Sequence, residues 1–181
     1  MTQPDLSQRL DSLVATWENE VVEFKQAGDN YSTDDIGKYF SALANEANPR
    51  GSDGDWLVFG VNNKTCRVVG TDYRLQSERL HSLEMQVAEN AEPRITFREI
   101  HELEHTDGRV LMFEIPAAPQ GIPIAWKGHY YARAGESLVS LADQAAPPWG
   151  DREHWFRYCS LLAADRENCR EKLEGCREIF I

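Results

Sequence analysis

The run Trp56-Leu-Val-Phe-Gly-Val61 constrains this chain most, because it is apolar, continuous and of strand length. A strand with no polar face suits a central position, buried on both sides. The rest of the chain must therefore supply cover above and below it. Upstream, Leu6, Leu10, Leu13 and Val14 recur at helical spacing between Asp5 and Thr16, which predicts an amphipathic helix capped by Asp5 or Ser7. A strand over Val21 to Lys25 follows. Ser32 or Thr33 then caps a helix with Asp34 and Asp35 in its first turn, running to about Ala47 and burying Ile36, Tyr39, Phe40, Leu43 and Ala44.

Asn48 to Asp55 reads as a turn-rich loop, and Asn62-Asn-Lys-Thr as a turn with Arg67-Val-Val-Gly70 as hairpin partner. Arg74 to Glu92 predicts a further helix with Leu75, Leu80, Leu83, Met85, Val87 and Ala88 on its apolar side, closed by Pro93. Thr106-Asp107-Gly108 joins Ile95–Glu104 to Arg109–Pro116 as a hairpin. A second hairpin spans Ile124–Ala134 and Ser137–Leu141, turning at Gly135. The fold class that results is α/β of the α+β type: a mixed, mostly antiparallel sheet built from hairpins with packed helices, plus a C-terminal helix. Residues 1–144 form the domain. Residues 145–181 are a linker, Ala145 to Gly150, and a charged helix, Arg152 to Cys176, that packs on the body or on a second copy to form a homodimer.

The formal charge of −11 argues against broad electrostatic attraction to nucleic acid, so any such binding rests on a few placed cations. With no run near the ~20 apolar residues that span a bilayer, and no basic and apolar leader at the N-terminus, the expectation is a cytoplasmic protein without membrane contact. Cys66, Cys159, Cys169 and Cys176 form no C-x-x-C pair, so neither a zinc site nor a disulfide framework is expected.

His101-Glu-Leu-Glu-His105 matches H-E-x-x-H letter for letter. That zinc motif needs a helix, where residues four apart share a face. The flanking ITFREI and VLMFEI favour a strand, along which four residues span roughly 13 Å, too far for both imidazoles to share one ion. No P-loop, G-x-S-x-G or G-x-G-x-x-G is present.

Charged chemistry concentrates in Trp17 to Lys25, WENEVVEFK. Alternation sends Glu23 and Lys25 to one face and Val22 and Phe24 to the other, and burial of the apolar pair would hold the charged pair outward. Glu18 converges with Glu23 only if the chain bends near Glu18. The alternative is a surface strand with solvated charges. Asp53 and Asp55 are loop acids that either ligate a metal or are simply solvated. His129, beside Lys127, Tyr130, Tyr131 and Arg133, belongs either to a cluster for phosphate and bases or to an edge strand whose aromatics pack inward.

Five ordered blocks resemble the divergent AlbA-type domain of the Schlafen group: ENEVVEFK, DIGKYFSALAN, WLVFGVNN, VVG at Val68 to Gly70, and PIAWKGHYYARAGES. The resemblance runs from Glu18 to about Leu141. It implies an α/β nucleic-acid-binding domain acting on RNA or DNA in regulation or defence. In animal Schlafen proteins the domain is similar to a metal-dependent endoribonuclease acting on structured RNA such as tRNA. That group's two catalytic glutamates match Glu18 and Glu23, which would hold Mg²⁺ or Mn²⁺; its aspartate is replaced by Asn62 or Asn63. An amide brings no charge and cannot act as a base, so metal affinity and rate should fall. Asp53 or Asp55 is a candidate replacement.

The leading expectation is a nucleic-acid-binding domain with Lys25, Lys38, Lys127, His129 and Arg133 on phosphate. The alternatives are a metal-dependent endoribonuclease with a weakened site at Glu18, Glu23 and Asn62, and a protein-interaction module with neither activity.

Overall fold

The computed structural model describes residues 1–15, 22–50, 52, 54–119, 122–134 and 137–140, with side chains excepted at 48–50 and 134. In chain order the elements are α1 (Gln3–Ala15), β1 (Val22–Lys25), α2 (Thr33–Arg50), β2 (Gly54–Phe59), α3 (Ser77–Asn90), β3 (Ala91–Glu92), β4 (Glu99–His105), β5 (Gly108–Pro116), β6 (Ala125–Trp126), β7 (His129–Ala134) and β8 (Ser137–Ser140). Strands β1-β2-β5-β4 make one sheet and β3-β6-β7-β8 a second. Among the described residues only β1 and β2 pair in parallel, and α2 is the crossover that parallel pairing requires.

Trp56 to Phe59 of the apolar run lie in β2 as expected, with Leu57, Val58 and Phe59 fully buried, while Gly60 and Val61 fall beyond the strand's end. Alternation divides the first sheet into two faces. Val22, Phe24, Trp56, Val58, Leu103, Val110 and Met112 meet Leu6, Leu10 and Leu13 of α1 in one core. Leu57, Phe59, Leu111, Phe113 and Ile115 meet α2, α3 and the second sheet in the other, with Phe59 edge-on to Phe113 at 4.9 Å. Burying a Leu- or Phe-sized side chain contributes about 1.5–3 kcal/mol, so each face anchors its own helical layer.

Buried polar contacts fix the second sheet on α2. Asn45 Nδ2 donates to the carbonyls of Ile124 and Tyr131, both at 3.0 Å, and its Oδ1 accepts from Ile124 N at 2.7 Å. Ser41 Oγ donates to Ile124 O at 2.7 Å. These bonds satisfy backbone groups that burial would otherwise leave unpaired.

Several expectations are corrected. The α1 cap is Thr2, not Asp5 or Ser7: Thr2 Oγ1 and N both bond Asp5 Oδ2, and Asp5 N points back to Thr2 Oγ1, a reciprocal arrangement of capping-box type. This bonding from Thr2 holds the Asp5 carboxyl below its usual range. Ser32 does cap α2, accepting from Asp34 N at 3.1 Å. α2 continues through Pro49 to Arg50, where a loop was expected. Asp55 lies in β2 and is buried rather than solvated. The partner of Val61 is a single bridge to Val68, not a hairpin. α3 starts three residues after Arg74, at Ser77, so Leu75 precedes it and is exposed; within the helix Met85 is exposed while Leu80, Leu83 and Val87 are buried.

The second hairpin contains an additional reversal. Lys127 and Gly128 both have positive φ, 50° and 78°, between the paired residues Trp126 and His129. Two left-handed residues make the tight turn whose twist matches a hairpin, so Lys127 stands at a turn rather than in a strand. The H-E-x-x-H segment lies in β4, as its flanks implied. Asp53, the Gly135 turn and the C-terminal helix, with the homodimer it would support, lie outside the described residues.

Candidate functional site

β1 runs beside β2 in the register Glu23↔Leu57 and Lys25↔Phe59. Val22 and Phe24 therefore point into the α1 core, and Glu23 and Lys25 point toward α2. The expected division of faces holds, but the expected exposure does not: Glu23 is only 2% exposed. The reason is cover from a distant element. Arg133 of β7 reaches Glu23 Oε2, Lys25 Nζ reaches Oε1, and the Arg133 side chain is 1% exposed. Arg133 N also lies 3.4 Å from Glu46 Oε1, and Glu46 is buried. Strand alternation puts buried Asp55 on the same face of the sheet as Leu57.

A buried carboxylate is costly to desolvate unless cations and hydrogen bonds compensate it. Glu23 has both, one on each oxygen. Lys25 is the partly open member of the group, 22% exposed, with its ammonium 4.7 Å from the Tyr39 ring centroid. Burial alone would lower its pKa, but bonding to Glu23 and Tyr39 outweighs burial and holds the ammonium above its usual value. Tyr31 stands nearby, edge-on to Phe59 at 4.9 Å, and burial pushes its hydroxyl pKa up.

A second charged group lies at the N-terminal turn of α2. Asp34 Oδ1 accepts from Trp126 Nε1 and Lys127 Nζ, each at 2.9 Å, and Oδ2 meets Lys38 Nζ at 2.8 Å. Lys38 also bonds Asp35 at 3.1 Å. These donors, Lys38 first, hold the Asp34 carboxyl well below the usual carboxylate range. Acids in a first turn also complement the helix dipole. Lys127 remains half exposed and lies 5.5 Å from the Trp126 ring centroid. His129 is exposed at the start of β7.

The structure thus brings Lys25, Glu23 and Arg133 together, and joins Lys38 to Lys127 through Asp34. Asn62 follows Val61, whose N–H bonds Lys25 O at 3.4 Å. Its Oδ1 accepts from Lys64 N at 2.9 Å and Thr65 N at 3.0 Å, closing its own turn. Glu18 lies outside the described residues. Glu23 does not fit a Mg²⁺ or Mn²⁺ ligand as it stands, because an ion would have to displace an ammonium and a guanidinium from its two oxygens. Arg133, expected on phosphate, is sealed against Glu23.

Asp34 and Tyr39 read in sequence only as a first-turn acid and a buried-face residue of a helix, and Glu46 is not among the candidates. Asp34 and Lys38 carry the i,i+4 spacing of a helical ion pair, so that signal was available. Glu46 follows Leu43 by three, which places it on the buried stripe. Nothing local marks its partner in β7. Among the described residues, no helix is long and apolar enough to cross a membrane.

The family model described as Schlafen, AlbA_2 matches residues 18–142. The crystal structure of the DIP2311 protein from Corynebacterium diphtheriae is similar in fold, with a TM-score of 0.54 at 18% identity, over 89% of this chain and 29% of that one. The solution structure of the N-terminal domain of a protein related to the ATP-dependent DNA helicase RecG, from Nitrosomonas europaea, has a TM-score of 0.46 at 24% identity, over 66% of this chain and 75% of that one. This chain therefore spans under a third of the Corynebacterium protein's length in that structure. Comparison with curated proteins finds no match.

Proposed function

The chain belongs to the Schlafen AlbA_2 family, and from that premise we propose that it binds RNA or DNA without cutting it. The observation that carries the second half is Glu23. The position matching one of the family's catalytic glutamates is buried and held by Lys25 and Arg133. A carboxylate so compensated supports a structural role: it anchors β7 over β1.

The binding half rests on Lys25, Lys38, Lys127 and His129, with Tyr39 and Trp126 beside the lysines. Lys38 and Lys127 share one carboxylate, Asp34. An arriving phosphate exchanges with that carboxylate, so the gain per contact is modest and depends on salt. The partly buried Tyr39 ring beside Lys25 offers stacking to an unpaired base, whereas Trp126 is buried and only backs Lys127. Phosphate contacts of this kind set affinity rather than sequence choice.

The test is fluorescence anisotropy with labelled tRNA and labelled duplex DNA. Binding should weaken on Lys38→Ala and on Lys127→Ala, each substitution making the slope of log affinity against log salt shallower by about 0.7–0.9. With Mn²⁺ present the tRNA should stay intact. Absence of binding at low salt would overturn the proposal in favour of a protein-interaction module. Cleavage abolished by Glu23→Gln in a folded variant would establish the endoribonuclease instead.

A further inference from the structure

The H-E-x-x-H segment is unused by the function above, and its first histidine sits in an unusual place. In the β4–β5 ladder Glu99 is directly opposite Glu114, and His101 follows two residues along on the same face. Like charges directly across a ladder repel. Both glutamates flank the His101 ring: Nε2 lies 3.3 Å from Glu114 Oε2, and Nδ1 lies 3.7 Å from Glu99 Oε1.

We propose that Glu99, His101 and Glu114 form a binding site for a divalent transition-metal ion such as Zn²⁺. One donor atom from each of the three lies within 4.8 Å of the others. With metal–ligand bonds of about 2.0 Å, tetrahedral ligands stand about 3.3 Å apart, so the set needs a contraction of roughly 1.5 Å. Glu99 can make that movement, because its side chain is 60% exposed, whereas the His101 side chain is 3% exposed and stays in place. Its ring is held against Trp56, centroids 5.9 Å apart. Arg98 NH1 holds Glu114 Oε1 at 2.8 Å, which orients the other oxygen toward the histidine. An imidazole with carboxylates suits zinc and its neighbours in the first transition row.

Glu114 also lines a groove of about 710 Å³ with Met1, Asp5, Arg9, Trp56 and Arg98. That opening reaches the donor set at Glu114, and three protein ligands leave a fourth position for water. The site lies on the α1 face of the first sheet, opposite Glu23 and Lys25, so it stands independently of the nucleic-acid proposal. It also differs from a helical H-E-x-x-H site, because His105 takes no part in it.

Isothermal titration of the whole chain with Zn²⁺ alone, in a non-chelating buffer, tests the proposal. One saturable site is expected. His101→Gln should abolish it, Glu99→Gln should weaken it at least tenfold, and His105→Gln should leave it unchanged. Circular dichroism checks that each variant folds, and exposed Glu99 supplies the decisive variant if His101→Gln does not. Zinc binding unaffected by Glu99→Gln, or no saturable heat with the native chain, would overturn the proposal and leave the three residues as an ion-pair network.

Discussion

Replacing Glu23 by Gln separates a structural carboxylate from a catalytic one. The substitution keeps size and removes the charge that compensates Lys25 and Arg133. Lys25 is partly open and can turn toward water; Arg133, at 1% exposure, cannot. Removing one partner of a buried pair costs about 3–5 kcal/mol. Glu46 beside the Arg133 backbone offers partial compensation, which places the expected loss at the lower end, about 3 kcal/mol. For a chain of this length each kcal/mol lowers Tm by about 2–4 °C, so Glu23→Gln should melt about 6–12 °C early. Scanning calorimetry reads this directly. A second variant sharpens it: Glu23→Gln with Arg133→Met removes both charges, so no buried guanidinium is left without a counter-charge. The double variant should therefore recover part of the loss. A Tm unchanged or raised in Glu23→Gln alone would refute the reasoning, because a carboxylate kept for catalysis commonly costs stability rather than supplying it.

Other expectations follow from the same geometry. Gly37→Ala in α2 ought to gain almost 1 kcal/mol of helix propensity, yet a Cβ there would lie 2.1 Å from the Trp126 ring; overpacking costs about 1–3 kcal/mol, so thermal melting should show a net loss. Asn62→Ala removes the acceptor for two backbone N–H groups and should cost about 1 kcal/mol in urea unfolding without changing RNA affinity. Lys25 and Tyr31 both have folded pKa values above their unfolded values of 10.5 and 10.0. Their contribution is complete below pH 10 and is lost as pH rises through the folded values, so urea titrations should show stability falling above about pH 10.

Where structure follows local pattern, the sequence was a sufficient guide. The apolar run of β2, the Ser32 cap, the turn at Thr106-Asp107 ahead of Gly108 and the strand character of His101 to His105 all depend on neighbours a few residues away. The burial of Glu23 does not. Its partner Arg133 is 110 residues distant in the chain, and alternation gives a face without saying what covers it. Lys127 was misplaced because a lysine with positive φ has no compositional mark beyond the glycine after it. The exposed Met85 shows the same limit, since helical spacing does not reveal which side of α3 meets the core.

The most direct test of the central claim is one gel-shift experiment with end-labelled tRNA, Mn²⁺ and the purified chain, with the RNA recovered afterward for length analysis. A salt-sensitive complex containing full-length RNA is expected. Shortened RNA that disappears when Glu23 becomes Gln in a folded protein would contradict it.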